Sequence, residues 1–196
     1  MSQDKTSRAE SHHMTPTPPL RLKPFAATDV PFFSNMATDP RVTKYVGDGS
    51  IWDQATIAEK TTNALRDAPL HEEGAARWFV ALHEDQPVGI FVSTRREPGV
   101  EIGYWVPPEH WGQGIAGAMV DAGLGTIPAL YDSDNVVARV DPDNAASARV
   151  LTRRGFRATG CENGLDRYTR EVPSSAAVPA CGTPLTASPI DWTQPS

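Results

Sequence analysis

The fold of this chain is decided by residues 100–116, which read Val-Glu-Ile-Gly-Tyr-Trp-Val-Pro-Pro-Glu-His-Trp-Gly-Gln-Gly-Ile-Ala. Neighbouring side chains of a strand point to opposite faces of its sheet. The alternation here puts Ile102, Tyr104 and Val106 on one face and Glu101 and Trp105 on the other. Two prolines end the strand, and a glycine-rich turn then leads into apolar residues at helical spacing. The stretch therefore predicts a strand, a tight turn and a helix in direct succession.

The turn at Trp111-Gly112-Gln113-Gly114 has the composition of a phosphate-binding loop. Glycine adopts backbone conformations closed to other residues and lets a ligand approach the main chain. The first turn of the following helix offers unpaired amides and the positive end of the helix dipole, which together attract phosphate. The same sequence is also compatible with a plain strand-to-helix turn, and both interpretations stay open at this point.

The same glycines also satisfy the dinucleotide pattern G-x-G-x-x-G through Gly112, Gly114 and Gly117. Asp141 ends the next predicted strand, about where an acid that binds ribose would be sought. A Rossmann-type dinucleotide-binding protein is therefore an alternative. It is disfavoured because the pattern follows an antiparallel hairpin and too little chain remains after Asp141 to complete a doubly wound sheet.

The rest of the chain divides into short strands and helices around this centre. The helix after the turn contains Gly117, Gly123 and Gly125, and each costs about 1 kcal/mol of helix propensity relative to alanine, so close packing at these glycines is expected. The predicted elements are a strand at 20–25, a helix from Thr28 or Asp29 to Ala37, a helix at 53–68, a hairpin of strands 77–82 and 88–93, a helix from the turn to Ala129, a strand at 136–140, a helix at 144–154, and two final strands around Phe156 and Tyr168.

Composition indicates one globular domain between two polar tails. The 196 residues fit the usual size of a single domain, roughly 100–200 residues. Residues 1–19 and 172–196 are rich in proline and small polar residues, a composition typical of disorder. The sequence therefore predicts a disordered leader over 1–19, a folded domain over 20–171 and a disordered tail over 172–196.

Charge and cysteine content exclude several kinds of function. The net charge of -6 disfavours a nucleic-acid polymer as partner, because such binding needs clustered lysine and arginine. Cys161 and Cys181 lack the spacing of a zinc site or a redox pair, so no metal is expected. No apolar run approaches the roughly 18 residues that would span a bilayer, and the N-terminus lacks the apolar core of a secretion signal. We expect a cytoplasmic protein with no membrane partner.

A second constellation runs from Asp141 to Phe156. Asn144 is a good helix N-cap, and Gly155 suits the left-handed position that ends a helix. Ser147 lies three residues after this cap, where a capping box would have Glu or Gln. Helix capping therefore does not account for a serine at this position.

These segments, in this order and spacing, resemble the GNAT acetyltransferases, and within them the branch of ribosomal-protein N-terminal alanine acetyltransferases. The resemblance covers about residues 20–171. Trp111 stands where the superfamily often has Gln or Arg, as is common in this branch. The segments that carry it are Arg21-Leu22-Lys23-Pro24, Thr38-Asp39-Pro40-Arg41-Val42, Glu101 to Val106, Trp111 to Ala116, and Asn144-x-x-Ser147 with Gly155-Phe156.

The resemblance implies an α/β fold of the α+β kind, with a central, mostly antiparallel and partly splayed sheet flanked by helices. It implies acetyl-coenzyme A as co-substrate, without a metal, in the gap between the fourth and fifth strands. The residues expected to bind it are Trp105, Val106, Trp111, Gly112, Gln113, Gly114, Ile115, Ala116, Asn144 and Ser147.

Direct acyl transfer needs a group that takes a proton from the amine and a group that stabilises the leaving thiolate. Glu101 is the candidate general base, acting directly or through water, and the alternative is a solvated strand residue. Ser147 is the candidate hydrogen-bond donor to the thiolate, and the alternative is a residue that bonds its own helix backbone. Tyr104 could act as an acid, but its place on the apolar face favours core packing.

The acceptor amine is not readable from the sequence. The resemblance favours a protein N-terminal α-amine, and a small-molecule amine such as an antibiotic or a polyamine is the second possibility. A non-catalytic module that senses acyl-coenzyme A also stays open. The chain is compatible with a monomer or a homodimer.

Overall fold

The computed structural model describes residues 19–172, whose strands form one seven-stranded sheet. The predicted leader and tail lie outside the described residues, apart from Pro19 and Val172, as does Cys181. Val172 belongs to the folded domain, since its side chain is buried in the core and its amide donates to the carbonyl of Asp134 over 2.6 Å. No helix within residues 19–172 is long and apolar enough to cross a membrane.

The elements follow the predicted order, with one additional short helix. The strands are β1 (Arg21–Pro24), β2 (Ala76–His83), β3 (Gln86–Arg96), β4 (Gly99–Trp105), β5 (Asn135–Val140), β6 (Arg157–Glu162) and β7 (Leu165–Glu171). The helices are α1 (Val30–Ala37), α2 (Pro40–Thr43), α3 (Gln54–Ala64), α4 (Ile115–Tyr131) and α5 (Ala145–Thr152), with 3₁₀ turns at Ala27–Asp29 and Pro108–His110.

The sheet has the order β1-β2-β3-β4-β5-β7-β6, and every neighbouring pair is antiparallel except β4 with β5. That parallel pair is joined through α4, as a crossover between parallel strands requires. The predicted fold class, a mostly antiparallel mixed sheet flanked by helices, is confirmed.

Two hydrophobic clusters lie on the two faces of the sheet. One contains the buried face of α4, with Ile115, Met119 and Ile127 packed against strand residues such as Phe91 and Val100. The other joins α1 and α3 to β2 and β3, and its buried residues are Phe25, Phe33, Met36, Ala37, Ile57, Val80 and Ile90. The strand alternation predicted for residues 100–106 is correct, since Ile102 and Val106 lie in the first cluster and Trp105 packs against the second.

The structure corrects two helix ends. The predicted helix over 53–68 is shorter, because α3 ends at Ala64 and residues 65–68 leave the helical path. Pro69 disfavours a helical conformation for Ala68, and Arg77 binds both the carboxylate of Asp67 and the carbonyl of Ala68, over 2.6 and 2.9 Å. Helix α4 runs past Ala129 and Pro128 to Tyr131, whose buried hydroxyl donates to the carbonyl of Ser93 over 2.8 Å.

Helix α2 was not predicted, and β3 continues beyond Ser93 to Arg96. Asp39 begins α2 by accepting a hydrogen bond from the amide of Arg41 over 2.9 Å, and it also binds that arginine's guanidinium over 2.6 Å. These contacts are local, so the Asp-Pro-Arg sequence is itself a capping signal that the helical period of longer elements does not reveal.

The glycines of α4 differ in the space that surrounds them. A Cβ at Gly117 would overlap the guanidinium of Arg154, and one at Gly123 would overlap the ring of Phe91. A Cβ at Gly125 would meet open space. The predicted close packing is confirmed for two of the three glycines, and nothing in the structure explains Gly125.

Candidate active site

The site begins where β4 and β5 separate. Their parallel pairing covers only Val100 with Val136 and Glu101 with Val137. Beyond these residues β4 continues to Trp105 and β5 to Val140 without pairing to each other. The sheet is therefore splayed at its centre, as predicted, and the open edges of the two strands face a gap.

The glycine-rich turn lies at the end of β4 and begins α4. Gly112 and Gly114 have φ values of +74° and +79°, in the left-handed region that favours glycine. A Cβ at Gly112 would meet nothing within 4 Å, so the main chain there is open to a ligand. The amides of the first helical turn, which includes Ile115 and Ala116, have no acceptor inside the helix.

Two side chains of the turn hold its shape. The indole of Trp111 donates to the carbonyl of Val106 over 2.7 Å, although half of this residue is exposed. The side-chain amide of Gln113 donates to the carbonyl of Glu109 over 2.7 Å. Both side chains stabilise the shape of the loop, so its backbone amides are the groups that could bind a ligand.

Arg154, just after α5, connects the C-terminal end of that helix to the first turn of α4. Its Nε donates to the carbonyl of Gly117 over 2.7 Å, and its Nη2 lies 3.0 Å from the Asp121 carboxylate. The guanidinium occupies the space that a side chain at Gly117 would need. No local sequence pattern predicts this contact, because it joins residues that are 37 positions apart.

The N-terminus of α5 brings Asn144 and Ser147 to the gap. The Oδ1 of Asn144 accepts from the amide of Ser147 over 3.1 Å, so Asn144 is the predicted N-cap. The hydroxyl of Ser147 lies 2.6 Å from the hydroxyl of Tyr104 on β4. Tyr104 packs its ring against the core, as predicted, but its hydroxyl reaches across the gap.

The hydroxyl of Tyr104 is an acid that stays protonated at neutral pH. Burial raises the pKa of Tyr104 above its ordinary value, and this effect exceeds the lowering of the pKa by the hydrogen bond to Ser147 and by the charge of Arg154. A desolvated phenol favours its neutral form. The pair at the gap therefore contains two hydroxyl groups that can donate.

Glu101 lies on the opposite face of β4, where the strands begin to separate. Its carboxylate accepts two hydrogen bonds from Arg139 of β5, over 2.9 and 2.8 Å, and lies 3.5 Å from Nε of Arg96. The side chain is 22% exposed. The hydrogen bond to Glu101 raises the pKa of Arg139. A carboxylate has about four lone-pair sites, so an amine or a water can still bind beside the two arginines.

Trp105 shares its face of the sheet with Glu101. Its ring stacks on Phe33 at 5.2 Å between centroids and meets the edge of Trp52 at 5.0 Å. The structure thus places this ring on the side of α1 and α3, away from the Tyr104–Ser147 pair. The indoles of Trp105 and Trp52 are partly exposed, so they form an apolar surface on the same side of the sheet as Glu101, four residues along β4 from it.

The structure groups the predicted residues into two sets on either face of β4. The turn, Asn144 and Ser147 lie with Tyr104 at the gap, and Glu101 lies with Trp105 on the other face. Arg139 and Arg96, which bind Glu101, were not predicted as site residues. The alternation of β5 could have shown that Arg139 and Val137 share a face, but no local signal pairs Arg139 with β4.

A family profile described as an acetyltransferase (GNAT) domain matches residues 19–157. The chain therefore belongs to the GNAT acetyltransferase family, as its motifs predicted. The enzyme class that this family defines is N-acetyl transfer from acetyl-coenzyme A, so the predicted class of enzyme is confirmed at the level of the family.

Among individual proteins, the chain is 31% identical to the ribosomal-protein-serine acetyltransferase of Escherichia coli strain K12 over 115 residues. These are 56% of this chain and 64% of the relative, so the chain spans less than two thirds of that protein's length.

Two of the solved structures that share the fold are N-acetyltransferases. The ribosomal L7/L12 α-N-protein acetyltransferase RimL, in complex with coenzyme A, superposes with a TM-score of 0.66 at 21% identity, over 81% of this chain and 97% of that one. Spermidine N-acetyltransferase from Vibrio cholerae, in complex with coenzyme A and spermine, superposes with a TM-score of 0.65 at 17% identity, over 78% of this chain and 95% of that one. At these identities the likeness concerns the fold alone.

Proposed function

We propose that this protein transfers an acetyl group from acetyl-coenzyme A to a protein N-terminal α-amine. The observation that carries the proposal is the gap between β4 and β5, which has a turn of open amides at one end and a carboxylate where the gap begins. The amides of Gly112 to Ala116 would hold the pyrophosphate. The open strand edges would hold the pantetheine arm.

The proposed reaction is direct transfer. Glu101 takes a proton from the acceptor amine, directly or through a water, and the amine attacks the thioester carbon. Collapse of the tetrahedral intermediate breaks the C–S bond, and the electron pair leaves on sulfur. Ser147 donates a hydrogen bond to the resulting thiolate.

The surroundings of Glu101 support a peptide amine more than a polyamine. Arg139 and Arg96 place two positive charges beside the carboxylate, and like charges disfavour a second or third ammonium group close by. The partly exposed indoles of Trp105 and Trp52, on the same side of the sheet as Glu101, suit an uncharged side chain near a peptide N-terminus. The similarity to the ribosomal-protein-serine acetyltransferase of Escherichia coli supports the same choice.

A polyamine is the second candidate acceptor. The net charge of -6 attracts cations over longer distances, and a spermidine acetyltransferase shares the fold. A test of the acceptor must therefore include both classes.

Calorimetric titration is expected to show saturable binding of acetyl-coenzyme A and of coenzyme A, and none of NAD. Gly112→Ala is expected to weaken acetyl-coenzyme A binding about tenfold, since a side chain at φ +74° costs roughly 1–2 kcal/mol and shifts the turn. Gly164→Ala is the matched control, with φ +79° and no atom near the added Cβ, in the turn between β6 and β7. Binding of NAD alone would overturn the proposed site, and equal affinities of the two variants would remove Gly112 from it.

An acceptor panel is expected to favour peptides. A peptide with a free N-terminal serine or alanine should be acetylated at least about tenfold more efficiently than spermidine, a difference of about 1.4 kcal/mol in transition-state binding. The same peptide with a blocked N-terminus and an internal lysine is the control and should not react. Preference for spermidine would show that the acceptor is a polyamine and not a peptide. Saturable binding of acetyl-coenzyme A without acetylation of any amine would support a sensor of acyl-coenzyme A.

A further inference from the structure

Tyr104 and Ser147 form a hydroxyl pair across the gap. Tyr104 lies three residues beyond Glu101, the last β4 residue that pairs with β5, and Ser147 lies in the first turn of the helix after β5. Their oxygens are 2.6 Å apart, and the Tyr104 hydroxyl also lies 3.4 Å from the Ser147 carbonyl. The pair thus joins the two sides of the splayed sheet.

Either hydroxyl can donate in this pair, and the other contacts leave open the direction in which Tyr104 donates to Ser147. The N-cap of α5 uses the amide of Ser147 and leaves its hydroxyl free of the cap. When the Tyr104 hydroxyl donates to Ser147 Oγ, the hydrogen of the serine hydroxyl can point into the gap. A phenol, with an ordinary pKa of about 10, is a much stronger acid than the hydroxyl of serine.

We propose that Tyr104 is the source of the proton that the coenzyme A sulfur receives through Ser147 when the C–S bond breaks. This role rests on the proposed transferase function. The Ser147 hydroxyl passes its proton to the thiolate, and the phenolic proton of Tyr104 passes to Ser147 Oγ. Water then returns a proton to the phenolate, while the proton of the amine leaves with the base on the other face of β4.

The surroundings of Tyr104 suit this role. Burial raises the pKa of the phenol, so the donor is fully protonated at neutral pH, and the positive charge of Arg154 acts in the opposite direction and stabilises a transient phenolate. Arg154 is itself held by the carbonyl of Gly117 and the carboxylate of Asp121. The group that would stabilise the phenolate is therefore fixed to the helix that begins at the glycine-rich turn.

The chain offers a matched control in Tyr131. This tyrosine is also buried, its pKa is also raised by burial, and its hydroxyl also pairs with a serine, Ser93, over 3.0 Å. It lies at the C-terminal end of α4, far along the helix from the turn. Tyr131→Phe removes a comparable buried hydroxyl without touching the gap.

The experiment compares Tyr104→Phe, Ser147→Ala, the double variant and Tyr131→Phe. We expect Tyr104→Phe to lower kcat about tenfold or more with the Kd for acetyl-coenzyme A within about twofold of the wild type, and Tyr131→Phe to leave kcat unchanged. The double variant should be no slower than Ser147→Ala, because both residues act in one chain. The thermal midpoint of every variant is measured in parallel to separate a loss of fold from a loss of rate.

Four results would overturn the role. Full kcat in Tyr104→Phe removes Tyr104 from the reaction, and an equal loss of kcat in Tyr131→Phe assigns both effects to packing. Additive losses in the double variant show that Tyr104 does not act through Ser147. If the wild-type protein binds acetyl-coenzyme A but acetylates no amine, the proposed function is wrong, and so is this role. If the wild type is active and Tyr104→Phe is as active, only the role of Tyr104 is wrong.

Discussion

Gly123→Ala is expected to lower the free energy of unfolding by about 1–3 kcal/mol, the usual cost of forcing extra atoms into a packed core. The added Cβ would overlap three atoms of the Phe91 ring. Phe91 is fully buried between the sheet and α4, so its ring has no open space to enter. The overlap outweighs the gain of up to about 1 kcal/mol that alanine brings to a helix interior.

Gly125→Ala is the control on the same helix. It brings the same gain in helix propensity, but its Cβ meets open space, so this variant should be as stable as the wild type or more stable by up to about 1 kcal/mol. Denaturant unfolding of both variants gives the comparison. The thermal midpoint of Gly123→Ala should fall by about 2–4 °C per kcal/mol, and that of Gly125→Ala should stay unchanged or rise. Equal behaviour of the two variants would contradict the close packing of α4 on β3.

The surroundings of these glycines could not be predicted from the sequence, although the element that contains them could. The alternation in residues 100–106 and the turn that follows predicted β4, the start of α4 and the faces of the strand, because those features depend on neighbouring residues. The reason for Gly123 is a phenylalanine in another element, and the reason for Gly117 is an arginine 37 positions away. A helical pattern shows that such glycines are costly, but not what fills the space beside them.

The same distinction applies to the candidate site. Glu101 and Ser147 were predicted from the family motif, and the structure places each beside the gap. Their partners, Arg139 and Tyr104, are each about 40 residues away in the sequence. Alternation placed the ring of Tyr104 in the core correctly, but the position of its hydroxyl depends on how far β4 and β5 diverge, which no local pattern encodes.

Glu101→Gln is expected to lower kcat about 100-fold, the lower end of the usual contribution of a general base. Glutamine keeps the size of the side chain and can still accept a hydrogen bond from Arg139, but it cannot take the proton of the amine. Because Glu101 lies on the face of β4 opposite the Tyr104–Ser147 pair, the Kd for acetyl-coenzyme A should stay within about twofold of the wild-type value. Steady-state kinetics with a saturating peptide acceptor and calorimetry give the two quantities.

Two further variants separate a base from a structural ion pair. Glu73→Gln removes another carboxylate that binds Arg96, over 3.2 Å, in the loop before β2, and it should leave kcat unchanged. Arg139→Gln breaks the bidentate pair while keeping the Glu101 carboxylate, so it should cost much less rate than Glu101→Gln. If Arg139→Gln and Glu101→Gln lowered kcat equally, the ion pair itself would be the functional unit. Full activity of Glu101→Gln would instead make the carboxylate a structural partner of Arg139, and the base would have to be sought elsewhere along the gap.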